Sequence, residues 1–134
     1  MKTIGTEEHF VTDEVVTAWS RLDSPARDDS RASAPPGELG ERLREVGERR
    51  IAAMDEAGLD VQVISLTSPG LHNLPAEEAT RLQVETNDRI AELVNAHPDR
   101  FQGFATLATP APAAAALALI HRLVVGVCPG LRFK

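Results

Sequence analysis

The chain has 134 residues, 43% of them hydrophobic, which suits one soluble globular domain or a piece of one. Twenty acidic against 14 basic residues give a net charge of −6, which argues against nucleic acid as a partner because phosphate binding needs a basic face. The opening MKTIGTEEHF has no apolar run and the longest apolar stretch, Pro112 to Val127, is interrupted by His121 and Arg122, so neither signal peptide nor membrane span is expected; Cys128 alone precludes an intrachain disulfide, and a cytoplasmic setting follows.

Lys2 to His9 reads as a first strand, and Val11 to Trp19 as a loop with a helical turn. From Arg21 to Gly37 the sequence RLDSPARDDSRASAPPG lacks a periodic apolar face and reads as a long exposed connection. Loops of this length are often functional lids; a solvated insertion is the plainer alternative. Next, Leu43, Val46, Ile51, Met54 and Ala57 recur at helical spacing. Gly47 interrupts this pattern, predicting a short turn and then a firmer helix from Glu48, stopped by a left-handed cap at Gly58.

Val61 to Thr67 (VQVISLT) is β-branched and nearly all apolar, as expected for a parallel strand buried on both faces. Ser68-Pro69-Gly70 is a turn signal. Pro75 opens a second long helix at its first position, Glu77 and Glu78 complement its dipole, and Leu82, Thr86, Ile90, Leu93 and His97 run along one side. Phe101 to Ala108 reads as a third strand, and Ala113 to about Val125 as a third helix. The fold class is therefore α/β, in the order β-α-β-α-β-α, with three parallel strands side by side in one sheet.

The motif with most chemistry is Glu7-Glu8-His9 at the end of the first strand. Alternation along a strand points Glu7 and His9 to one side and Glu8 to the other. A carboxylate and an imidazole together suit zinc or manganese. An acid-x-His triplet is common, and a solvated strand end is the bland alternative. Ser65, Thr67 and Ser68 fall at the C-terminal end of the second strand, where substrate contacts arise in parallel barrels. Phe10 and Trp19 offer walls for an aromatic pocket, although Phe10 suits the core equally. Asn87-Asp88 sits on a helix, suited to bonding a neighbouring loop. Cys128 lacks a nearby His or basic helix-end arrangement, so an inert thiol is expected.

Three stretches carry a family resemblance: EEHF from Glu7 to Phe10, VGERRIAAMDEAGLDVQVISLTSPG from Val46 to Gly70, and ETNDRIAELVNAHPDRFQGFATLATPAP from Glu85 to Pro112. Together they resemble the amidohydrolase-related (amidohydrolase 2) decarboxylases, a family that includes γ-resorcylate and 2,3-dihydroxybenzoate decarboxylases and, more distantly, aminocarboxymuconate-semialdehyde decarboxylase. The resemblance covers most of the chain except the 21–37 loop and roughly the last dozen residues. It implies the first three βα units of a TIM-type (β/α)8 barrel, with Glu7 and His9 as the two first-strand ligands of a divalent metal, zinc or manganese. The implied reaction is non-oxidative decarboxylation of a small hydroxylated aromatic carboxylic acid, with the metal as Lewis acid and an Asp as proton donor. The family's further histidines and that Asp belong to later strands, and no position here matches them. His72, His97 and His121 lie in loops or helices that the family does not use for metal.

After Ala116 the pattern departs: LALIHRLVVGVCPGLRFK is more apolar and basic than the family's continuation, so residues from about 117 to 134 form a divergent C-terminus. A frameshift or premature stop is the expectation, testable by translating the downstream DNA in the other frames. A barrel needs about 250 residues, and three units leave two strand edges open. Catalytic zinc uses three protein ligands, so two leave metal binding weak or absent, and the isolated chain is expected to be inactive. The rivals are a non-catalytic half-barrel, self-associating as a homo-oligomer or joined to another subunit, and a metal-dependent hydrolase of the same superfamily.

Overall fold

The computed structural model describes residues 1–23 and 37–117. Most of the 21–37 loop, the end of the expected third helix, His121, Cys128 and nearly all of the divergent C-terminus therefore lie outside the described residues. The elements run β1 (Ile4–Phe10), α1 (Asp13–Ser20), α2 (Glu38–Arg44), α3 (Glu48–Ala57), β2 (Val61–Leu66), α4 (Ala76–Ala96) and β3 (Phe101–Gly103). Residues 112–117 are again helical. The three strands form one parallel sheet in the order β1-β2-β3, as the alternating pattern predicts.

Each strand sends one large apolar side chain to the same face: Phe10, Ile64 and Phe101 are buried there against Met54 of α3 and Ile90, Leu93 and Val94 of α4. Burying such side chains stabilises a fold by roughly 1.5–3 kcal/mol apiece. Helix α4 lies so close to β3 that a Cβ on Gly103 would collide with the Ile90 side chain. Only glycine fits there. A second cluster, which includes Val11, Val15, Trp19, Leu71, Leu74, Leu82, Ala108 and Ala115, packs against Leu66 at the end of β2.

Three expectations need correction. Val11 to Trp19 is mostly a regular helix rather than a loop: Thr12 caps α1, its Oγ1 accepting from Val15 N, and Asp13 and Glu14 occupy the first turn. Val15, Ala18 and Trp19 then form its buried face. Second, the stretch before Gly47, expected as a short turn, is helix α2, and Ala57 at the end of α3 stays exposed; the break at Gly47, the start of α3 at Glu48 and the Gly58 cap at φ 67° are as expected. Third, β3 ends at Gly103 instead of reaching Ala108.

The third correction has a clear cause. Beyond Gly103, Phe104 N still donates to Ile64 O at 2.9 Å, but the chain is then captured by two amide side chains of α4. Asn87 Nδ2 donates to Thr106 O (3.1 Å) while its Oδ1 accepts from Thr106 N (2.8 Å). Gln83 Oε1 accepts from Ala108 N (2.6 Å), and its Nε2 donates to Ala115 O (3.0 Å). Both amides are buried, and they satisfy backbone groups that a neighbouring strand would otherwise take. The reading of Asn87 as a partner for a neighbouring loop holds. Pro75, expected as the first helical residue, is the N-cap of α4.

Candidate functional site

Over the last four residues of β1 exposure alternates: Glu7 and His9 are exposed, Glu8 is half-buried and Phe10 buried. The pleat thus sets Glu7 and His9 on the face opposite the helices. Upstream, the pairing slips between Gly5 and Glu8, where β1 spends three steps against two on β2. This bulge brings Glu8 back over Gly5, so that both lie on the helix side. Gln62 Nε2 donates to Glu8 Oε2 at 3.1 Å on that side.

On the open face, register places His9 beside Ser65, and His9 Nδ1 lies 3.2 Å from Ser65 Oγ. Gln102 of β3 pairs with Val63, so Phe104, two residues on, follows the same face and is 53% exposed. Imidazole, hydroxyl and phenyl thus line up across the three strands at their C-terminal ends. An open cavity of about 390 Å³ lies on the other side of β1, against α2 and α3, whereas one of about 330 Å³ adjoins this row and is lined by Ser65, Pro69, Phe104, Thr106, Leu107 and Thr109. Being at the strand ends of a parallel sheet, the smaller cavity is in the position where such sheets bind ligands.

The other sequence candidates distribute unevenly. Thr67 and Ser68 follow Ser65 into the turn; Thr67 N donates to Phe10 O at 2.9 Å, and neither lines the cavity. Phe10 and Trp19 do not wall a pocket with this row: Phe10 is core, and Trp19 is buried with its Nε1 donating to Gly70 O at 2.8 Å. His72 is exposed beside the cavity, and His97 caps α4 against the Phe101 ring. Among the described residues no group of three or more His, Cys, Asp or Glu side chains gathers as a metal cluster. Phe104 was missed by sequence reasoning; the signal was the strand alternation that continues from Gln102.

Behind β1, Arg50 of α3 reaches the strand, its Nη2 donating to His9 O at 2.7 Å and to Arg42 O at 3.3 Å. Burial lowers the Arg50 pKa from the usual arginine value, and the nearby charges of Glu8 and Glu45 pull it back up. Arg50 Nη1, Glu45 Oε2 and Gln62 Oε1 are buried without a hydrogen-bond partner among the described residues. No described helix is long and apolar enough to cross a membrane.

No family model matches the chain. It is 33% identical over 117 residues to the γ-resorcylate decarboxylase of Polaromonas sp., covering 84% of this chain and 32% of that protein. The structure is similar to a 5-carboxyvanillate decarboxylase of Sphingomonas paucimobilis, with TM-score 0.79 and 37% identity over 94% of this chain and 40% of that one. It is also similar to the Novosphingobium aromaticivorans 5-carboxyvanillate decarboxylase complexed with manganese and 4-hydroxy-3-methoxy-5-nitrobenzoic acid, with TM-score 0.78 and 34% identity over 97% of this chain and 40% of that one. The chain spans about a third of the length of the curated relatives it matches. Over the part it spans, the chain is homologous to γ-resorcylate and 5-carboxyvanillate decarboxylases, which are of the amidohydrolase-2 type.

Proposed function

We propose that this chain supplies the first-strand metal ligands and part of the substrate wall of a barrel that decarboxylates a hydroxylated aromatic carboxylic acid. The three parallel strands would be the first three of that barrel. The observation that carries the reading is the pair Glu7 and His9, exposed on one face of β1 at the sheet's C-terminal end. An anionic oxygen and an imidazole nitrogen fit a divalent cation of the manganese or zinc class, and manganese is the metal named with the Novosphingobium relative. When bound, such a cation supplies Lewis acidity toward a substrate oxygen.

The chain's own residues support this role. With Nδ1–H turned toward Ser65 Oγ, His9 keeps its Nε2 lone pair for a ligand, and the hydroxyl fixes the ring's orientation. Phe104 and Leu107, both about half exposed, give the adjoining cavity an apolar lining suited to an aromatic ring. Two donors are fewer than the three protein ligands of a catalytic zinc site, so the chain by itself holds metal weakly.

The test is a titration of the purified chain with Mn²⁺, followed by electron paramagnetic resonance, alongside Glu7→Gln and His9→Gln. Weak binding that both substitutions abolish is the expected result. Binding that survives both substitutions, or a folded chain that takes up no Mn²⁺, overturns the assignment. Carbon dioxide release from 2,6-dihydroxybenzoate, the ligand in a solved 2,6-dihydroxybenzoate decarboxylase, is expected to be absent for this chain alone. Turnover would overturn the need for further ligands.

A further inference from the structure

Among the described residues β1 is an edge strand, yet its tip is not open. In a parallel ladder successive residues direct their backbone bonds to alternate sides. Phe10 bonds toward β2, its carbonyl accepting from Thr67 N at 2.9 Å, so His9 C=O and Val11 N–H point away from β2. A further strand would satisfy that pair with the N–H and C=O of one residue. Here Val11 N donates to Leu43 O at 2.9 Å, and Arg50 Nη2 donates to His9 O at 2.7 Å. A carbonyl of α2 and a guanidinium of α3 thus stand in for one residue of a neighbouring strand.

We propose that Arg50 is a positioning residue for the metal centre, holding the His9 carbonyl and with it the backbone from which Glu7 and His9 project. This assignment rests on the reading of Glu7 and His9 as metal ligands. The bond is charge-assisted and short, as the stronger hydrogen bonds are. The guanidinium is fixed from a second direction by the Arg42 carbonyl, and Glu8 and Glu45 balance its charge in half-buried surroundings. Arg50 approaches from the helix side of the sheet, while the His9 side chain projects from the opposite face. It therefore acts through the backbone without touching a ligand. Both bonds leave from Nη2, and a lysine, whose ammonium sits on a stem one atom shorter, reproduces them only in part.

The experiment compares Mn²⁺ affinity of the chain with that of Arg50→Met and Arg50→Lys, using the exposed neighbour Arg49→Met as control. Arg50→Met is expected to weaken binding about tenfold, the usual cost of losing a group that orients a metal ligand. Arg50→Lys is expected to recover part of the loss, and Arg49→Met to match the unaltered chain. A second measurement does not depend on any variant folding: in the unaltered protein, the Arg50 guanidinium protons are expected to exchange with water more slowly than those of Arg49. Equal affinities across the series, or Arg50 protons exchanging as freely as those of Arg49, overturn the role of Arg50 alone. Absence of Mn²⁺ binding in the unaltered chain, with Arg50 protons still protected, overturns the Glu7 and His9 reading and leaves Arg50 a purely structural edge cap.

Discussion

The two faces of the three-stranded sheet are built from the same strands and obey opposite rules. On the helix side, Phe10, Ile64 and Phe101 are buried to within 1% of complete and lock into α3 and α4. On the open side, Glu7, His9 and Phe104 keep much of their surface free, and strand alternation and register, with the His9–Ser65 contact, set their alignment. One face provides stability and the other carries the proposed ligands, so substitutions on the two should separate cleanly into effects on unfolding and effects on ligands.

The sharpest attack on that division is Phe101→Ala, expected to destabilise the chain by about 3–5 kcal/mol in urea unfolding, because it empties the centre of the packed face. Gly103→Ala follows, with an expected loss near the top of about 1–3 kcal/mol, since the β-branched Ile90 side chain blocks the new methyl group. Gln83→Ala removes two buried backbone bonds and should cost about 2 kcal/mol, while loosening residues 106–108 in amide hydrogen exchange. At the small end, Ser65→Ala should move the unfolding midpoint by less than about 0.5 kcal/mol and still weaken Mn²⁺ binding, through the freed His9 ring. A large stability loss from Ser65→Ala, or a negligible one from Phe101→Ala, would erase the distinction between the faces.

The packed face was the more legible of the two in sequence. VQVISLT declares a strand by composition, although Val63 and Ser65 on its open face are only half-buried where burial on both faces was expected, and Leu82, Thr86 and Ile90 declare the face of α4 by spacing. Helix α1 was misread because its buried positions, Val15, Ala18 and Trp19, are few and interleaved with polar residues, although Thr12-Asp13-Glu14 is a good helix start. The length of β3 was misread for a different reason. Nothing in FQGFATLA ends a strand; the groups that end it, Asn87 and Gln83, lie about 20 residues earlier on another element. The open face was half legible. Period-two alternation brings Glu7 and His9 together, but the pairing of His9 with Ser65, the approach of Phe104 and the reach of Arg50 depend on register and packing, which a single strand's pattern does not encode.

The capture of residues 106–108 by α4 uncouples the path of that segment from its composition. Two primary amides on a 21-residue helix dictate the route by gripping only main-chain atoms. Exposed side chains along this stretch, such as Leu107, are consequently free to vary without redirecting the chain. A wall made in this fashion lets evolution, or an engineer, retune which ring it greets while the scaffold underneath stays constant.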